Sequence, residues 1–346
     1  MMQISPETQL FIREHSSDDV RVLALQAKKY PDIDMPTAIT QIAGRKVAAE
    51  KIPSWWEIEK IWYPKHLSLE QCSSEITARY KARLLQGDSL TDLTGGFGID
   101  CSFLATGFKS TTYVERQEEL CEIAAHNFPV LNLNHINIKN EDGVTYLQAM
   151  SPVDCLFLDP ARRNEHGGKT VAISDCEPNV AELEELLLQK ANRVMIKLSP
   201  MLDLSLALKE LKQTQEVHIL SVNNECKELL ILLGQTSPTE ISSHCVNLST
   251  KGTQEEQHFV FTREQEQCSE CTYTDSLETY LYEPNASLLK AGAFRSIAAA
   301  YPVRKLHPNS HLYTSDTFIE NFPGRIFRIV NQCSFNKKEV KENLAD

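Results

Sequence analysis

Two short stretches carry the residue types best suited to chemistry. The first, Thr91-Asp-Leu-Thr-Gly-Gly-Phe-Gly-Ile-Asp100, sets Asp92 and Thr94 just before Gly95, Gly96 and Gly98. Glycines of this kind admit positive φ and let a ligand approach the backbone closely. The second, Asp154-Cys-Leu-Phe-Leu-Asp-Pro-Ala-Arg-Arg163, ends an apolar run in Asp159-Pro160, with Arg162 and Arg163 following. Proline fixes the backbone there as it leaves the run. Two more acids sit at comparable places. Glu115 closes the run Thr111–Val114, and Asp142 lies in Asn140-Glu-Asp-Gly143 after another. A carboxylate at the position of Glu115 can accept both hydroxyls of a ribose, at roughly 1.5–3 kcal/mol per charge-assisted hydrogen bond. A solvated Glu115–Arg116 pair and a plain turn at 140–143 are the alternatives these residues leave open.

These groups need elements to hold them. From Leu90 onward, short apolar runs alternate with helical stretches, the pattern of a parallel sheet made of strand–helix–strand units. The runs are Leu90–Leu93, Thr111–Val114, Ile136–Ile138, Cys155–Leu158, Val194–Leu198, Val217–Val222 and Leu229–Leu233, the last two fitting a hairpin. Asp92, Glu115, Asp142 and Asp159 all follow such runs, and open parallel sheets bind ligands at the carboxyl ends of their strands. Residues 5–82 have apolar positions at three- and four-residue spacing, which predicts helices. Trp55, Trp56 and Trp62 near the end of that region are expected to pack between layers rather than to form a base-stacking platform. Beyond Gly234 come two strand-like runs, Ser243–Leu248 and His258–Thr262, and a polar loop over Glu264–Thr274. A compact segment follows from Leu277, with a helix around Ala286–Ala300 and a strand over Arg325–Val330.

The glycine turn fits a dinucleotide site poorly: counting G-x-G-x-x-G from Gly96 puts Cys101 where the last glycine is needed. The turn resembles instead the first motif of the class I S-adenosylmethionine-dependent methyltransferases. In the form D-x-T-x-G-x-G-x-D it is similar to a subgroup that includes a bacterial ribosomal-RNA guanine methyltransferase. Ser68–Ala82, Tyr280-Leu-Tyr-Glu-Pro-Asn-Ala286, Lys290–Ala293 and Phe322-Pro-Gly-Arg325 resemble the bacterial methyltransferases with a THUMP-like C-terminal domain. The resemblance implies a Rossmann-like α/β core with a mostly parallel seven-stranded sheet, an N-terminal helical region and a small α+β C-terminal domain. The corresponding segments are residues 1–75 (helical), 76–235 (core), 236–276 (a strand-containing linker region) and 277–346 (THUMP-like).

The resemblance also implies roles. S-adenosyl-L-methionine would be held by Asp92, Thr94, Gly95, Gly96, Gly98, Glu115 on the ribose and Asp142 on the adenine amino group. Asp159 and Pro160 would form the reacting face. Amino-methylating members have an aromatic residue where this chain has Arg162, and a second proline where it has Ala161, so the usual platform for a flipped base is missing. Arg162 or Arg163 could contact a phosphate or carboxylate instead, with an exposed loop pair as the alternative; Lys197 at the end of the fifth run could contact a phosphate, with a structural lysine the favoured alternative. Lys197-Leu-Ser-Pro-Met201 holds no cysteine for covalent catalysis, and Cys176 does not fit the Pro-Cys pattern. Direct in-line transfer is the expected chemistry. RNA-binding THUMP domains imply an RNA substrate, tRNA or ribosomal RNA. A protein or small-molecule acceptor, or a non-catalytic RNA-binding protein with a relict cofactor fold, are the alternatives.

Composition sets outer bounds. The 346 residues are 42% hydrophobic and 24% charged, ordinary for soluble globular proteins. No apolar run is long enough to span a bilayer, and the first residues do not resemble a secretory signal. The ten cysteines are scattered and read as reduced thiols of a cytoplasmic protein. The close pair Cys268/Cys271 has no partner at zinc spacing, so no metal is expected. A net charge of −12 disfavours non-specific nucleic-acid binding, and no DNA or membrane partner is expected. Within Leu281–Val330, however, six cations face three anions.

Overall fold

The structure is a computed structural model that describes residues 4–162, 172–236, 238–250, 256–334 and 336–343. It divides into two compact units, one of residues 1–213 with 231–237, the other of 214–230 with 238–346. The large sheet holds nine strands: the seven expected, and two more from the 236–276 region.

The first unit opens with helices α1 (Pro6–Glu14), α2 (Val20–Leu25), α3 (Met35–Lys51), α4 (Pro53–Trp56), α5 (His66–Gln71) and α6 (Glu75–Ala82). Capping residues start several of them: Ser5, Asp19 and Asp34 each accept a backbone N–H of the following turn. Phe11, Leu23, Met35, Ala38 and Ile42 bury one face of α1–α3 together. The later helices turn another apolar face inward, where Ala48, Ile52, Trp55 and Tyr63 gather around Phe97 of the glycine turn. The N-terminal helices are therefore part of the site's support, with Trp55 edge-on to Phe97 at 5.2 Å between ring centres. Trp62 instead stacks on His126 at 3.7 Å, and Trp56 is exposed.

Then follow β1 (Ser89–Asp92), α7 (Ile99–Leu104), β2 (Ser110–Glu115), α8 (Glu118–Val130), β3 (Ile136–Asn140), α9 (Gly143–Ala149) and β4 (Val153–Leu158). After them come the short β5 (Ala161–Arg162) and β6 (Cys176–Glu177), α10 (Val180–Lys190), β7 (Ala191–Leu198) and α11 (Leu204–Glu210). The order β7-β4-β1-β2-β3 is parallel throughout. Its central strands are buried along nearly their whole length, as strands covered on both faces must be. Because β1 has β2 on one side and β4 on the other, the loops after β1 and β4 leave a crevice at the reversal of strand order.

The second unit contains β8 (Thr214–Val222) and the start of β9 (Glu225–Gly234), joined through Asn223 and Asn224 at φ 50° and 65°. Paired positive φ angles suit the tight turn of a hairpin. β8 pairs in parallel with β10 (Ser242–Leu248), and β10 pairs antiparallel with β11 (Glu256–Thr262). Residues 263–268 form helix α12 (Arg263–Cys268), where the sequence predicts loop; Thr262 and Gln265 cap it reciprocally, a T-x-x-Q signature that its polar composition masks. A four-stranded antiparallel sheet is built from β12 (Tyr280–Pro284), β13 (Arg304–Lys305), β14 (Tyr313–Ser315) and β15 (Gly324–Arg328). The single helix expected over 286–300 is two, α13 (Ala286–Ala291) and α14 (Phe294–Ala300), because α13 ends in the left-handed residue Gly292. The final helix is α15 (Lys337–Asn343). No helix among the described residues is long and apolar enough to cross a membrane.

Candidate active site

Asp92 ends β1 fully buried. Its Oδ1 accepts the Thr94 N–H at 2.9 Å, while Oδ2 is buried without a hydrogen-bond partner. Burial raises its pKa well above the usual carboxylate range, and the negative charges of Asp100, Asp159 and Glu115 add to the effect. A dry acceptor with an empty lone-pair site costs stability unless something fills it.

The turn beyond is sterically determined. A Cβ on Gly95 would lie 2.2 Å from the Tyr113 ring, and Gly98 holds φ +86°. The Gly95 N–H donates to the Val114 carbonyl at 2.9 Å and ties the turn to β2. Glu115 at the end of β2 is nearly buried. Its Oε2 accepts the Gly96 N–H at 2.9 Å and its Oε1 the Gln117 N–H at 2.8 Å. Those bonds fix the carboxylate and leave one acceptor site on each oxygen. Arg116 pairs with Glu177 at 3.1 Å, not with Glu115. Asp142 is exposed and caps α9 through Oδ1, which accepts from Val144 and Thr145. Its neighbour Gly143 lies close against β1's end, where a Cβ would fall 2.2 Å from the Leu93 carbonyl oxygen.

Across the crevice, the Asp159 N–H donates to the Thr94 hydroxyl at 2.6 Å and joins the two loops directly. Pro160 beside it is buried. Asp159 Oδ2 lies 2.5 Å from Lys197 Nζ, at the end of β7. Lys197 also reaches Asp100 Oδ2 at 3.3 Å and Ser73 Oγ at 3.1 Å. Ser73 donates to Asp100 Oδ2 at 2.7 Å and accepts from the fully buried Lys81 at 2.9 Å; Lys81 Nζ is 3.0 Å from Asp100 Oδ1. An alternating row of charges, Lys81, Asp100, Lys197 and Asp159, thus runs from the core to the crevice. Burial pushes Asp100 up, but Lys81, Lys197 and the Ser73 hydroxyl outweigh it and bring the carboxyl down to about 2. For Asp159 the balance goes the other way: desolvation raises it more than Lys197 lowers it.

One comparison decides the family. A crystal structure of a protein from Porphyromonas gingivalis W83 assigned as a methyltransferase is 34% identical and has a TM-score of 0.86, over 99% of this chain and 86% of that one. The chain belongs to this methyltransferase family. A ferredoxin-like domain model matches residues 280–323. Two further structures are more distant. An rRNA methylase from Streptococcus thermophilus is 14% identical, covers 46% of this chain and 93% of its own, and has a TM-score of 0.33. A Streptococcus mutans protein assigned as a methyltransferase, in complex with SAH, is 14% identical over 46% and 96%, at 0.34. Likenesses this slight carry no argument about the present chain. A search of curated proteins finds no match.

In this methyltransferase, Asp92, Thr94, Gly95, Gly96, Gly98, Glu115, Asp159 and Pro160 come together around the loops after β1, β2 and β4. Asp142 is an exposed helix cap in the turn that adjoins them, where the Glu141 N–H donates to the Glu115 carbonyl at 3.1 Å. Lys197 is committed to Asp159, Asp100 and Ser73, so the structure gives it a positioning geometry rather than the phosphate contact considered from sequence. Arg162 lies in β5 opposite Cys176, and Arg163 lies outside the described residues. Ser73, Lys81 and Asp100 were not anticipated as site residues. Asp100 closes the D-x-T-x-G-x-G-x-D motif, and Ser73 and Lys81 fall inside the flanking stretch 68–82. Nothing in local spacing indicates that they converge.

Proposed function

We propose that the chain transfers a methyl group from S-adenosyl-L-methionine to RNA, tRNA or ribosomal RNA. The observation that carries the cofactor is the unpartnered, buried Oδ2 of Asp92 beside the glycine turn Gly95–Gly98. A cofactor with a cationic amino-acid portion and no phosphate complements that acceptor, whereas a pyrophosphate would meet the carboxyl oxygens of Asp92 and Glu115.

In this reading the cofactor supplies an electrophilic methyl group on a sulfonium sulfur. Asp92 receives the amino-acid portion, with the turn Thr94–Gly98 lining it; Glu115 accepts the ribose hydroxyls, and Asp142 the adenine amino group. Asp159 accepts a hydrogen bond or proton from the attacking nucleophile, and Pro160 fixes the backbone that carries it. Lys197 positions Asp159 by holding Oδ2. Alignment of the nucleophile with the methyl, and exclusion of water, supply most of the acceleration. Arg162 or Arg163 receives a phosphate of the acceptor strand.

The RNA part rests on the resemblance of residues 277–346 to a THUMP-like domain and on the excess of cations over Leu281–Val330. Incubation with labelled cofactor and RNA from a strain lacking the protein should label that RNA, and not RNA from the parent strain. Labelling of protein or small-molecule extracts alone would refute an RNA substrate. The −12 net charge favours that second reading, and competition by bulk tRNA would count against it.

A further inference from the structure

Away from the crevice, the second unit assembles a row of imidazoles from three strands. β8 and β10 are in register with Glu216 opposite Ser242 and His218 opposite His244. On β11, His258 sits diagonally beside His244, two positions along from the Val260 that faces it. Since side chains alternate faces along a strand, Glu216, His218, His244 and His258 share one face. The His218 and His244 rings stack at 4.4 Å, 17° apart. Glu216 Oε2 lies 3.2 Å from His218 Nε2, and His258 Nε2 lies 3.2 Å from His244 Nδ1.

We infer that Glu216, His218 and His244 form a binding site for one divalent transition-metal ion of the Zn²⁺ or Co²⁺ class. One ligand atom from each residue lies within 4.8 Å of the other two. At Zn–N and Zn–O distances of about 2.0–2.2 Å, tetrahedral donors stand roughly 3.3 Å apart, so rotation about the side-chain torsions closes the set without moving a strand. A metal lies in the plane of each imidazole that binds it, so occupation opens the His218–His244 stack. Two imidazoles and a carboxylate suit borderline ions and not Mg²⁺ or Ca²⁺, which take oxygen ligands. His258 and Ser242, the latter 3.2 Å from His244 Nε2, are placed to orient the His244 ring. Three protein ligands leave a fourth position for His258 or water.

The test uses the full chain without a histidine tag, stripped with chelator and titrated with Zn²⁺ by calorimetry, then with Co²⁺ by visible absorption. Metal content is measured by mass spectrometry. One equivalent is expected. H244Q should lose it, E216Q should weaken it at least tenfold, and H258Q should weaken it less. A C268S/C271S variant should retain the equivalent, and Mg²⁺ should not compete. Circular dichroism checks that each variant folds; if H244Q does not, the half-exposed Glu216 provides the deciding variant. Failure of the wild-type chain to bind Zn²⁺, equal binding by E216Q, or loss of the equivalent in C268S/C271S would each overturn the site.

Discussion

Asp92 and Asp154 lie on neighbouring strands, one at the carboxyl end of β1 and the other near the amino end of β4, and they are bonded very differently. Asp154 Oδ2 accepts the N–H groups of Asp88 and Ser89 and the Ser89 hydroxyl at 2.8–3.1 Å. Those backbone bonds, Ser89's first, lower its pKa. Asp92 has one donor on Oδ1 and none on Oδ2, and burial raises its pKa. The first acid joins two strand ends. The second is held dry with a vacant acceptor, at a cost to folding that a ligand can recover. The two carboxyls of one sheet thus differ in how completely their oxygens are bonded.

The largest effect should come from the charged row beneath the Asp92 end. Lys81→Met leaves Asp100 with Lys197 and Ser73 alone, and breaking a buried pair costs about 3–5 kcal/mol. Chemical denaturation should show that loss, and a fall below about 1 kcal/mol would mean that the row is not a unit.

Next is Asp92→Asn. If Asp92 receives the cofactor's cation, calorimetry should show affinity falling about 10- to 100-fold, the loss of one charge-assisted bond of about 1.5–3 kcal/mol. Folding of the unliganded chain should not suffer. An acid whose folded pKa is raised binds its proton more tightly when folded. It therefore subtracts stability as pH rises from its unfolded value near 3.8 through the raised folded value. The D92N variant lacks that penalty, so its stability relative to wild type should improve over the same range. A constant difference would remove the reason for treating Asp92 as strained.

Gly95→Ala places a methyl against the Tyr113 ring and should cost about 1–3 kcal/mol by overpacking, read as a lowered melting temperature together with weaker cofactor binding. Asp154→Asn should have the smallest effect on function: a small drop in melting temperature with cofactor affinity unchanged. If Asp154→Asn weakened the cofactor as much as Asp92→Asn, the contrast between the two ends would fail.

The legible part of the molecule is the part with local grammar. All seven apolar runs are strands of the large sheet, the central ones because strands covered on both faces need nearly continuous apolar sequence. Asp92 and the glycines could be read because their spacing is set within ten residues, although the contacts that require it come from Tyr113, Val114 and Glu115. The convergence of Ser73, Lys81 and Lys197 on Asp100 could not: they reach it from two segments distant in sequence, and a buried lysine looks like a surface one in sequence. The same holds for His218, His244 and His258, whose alignment depends on strand register alone. Composition hides helix α12 altogether and the break between α13 and α14, because a reciprocal cap and the left-handed Gly292 decide them.

The central claim is that Asp92's vacant oxygen is reserved for the methyl donor. Calorimetric titration of SAH into wild-type and D92N chains tests it most directly. One equivalent should bind wild type, and D92N should bind about 10- to 100-fold more weakly while melting at the same or a higher temperature. Equal affinity in the two chains would contradict it.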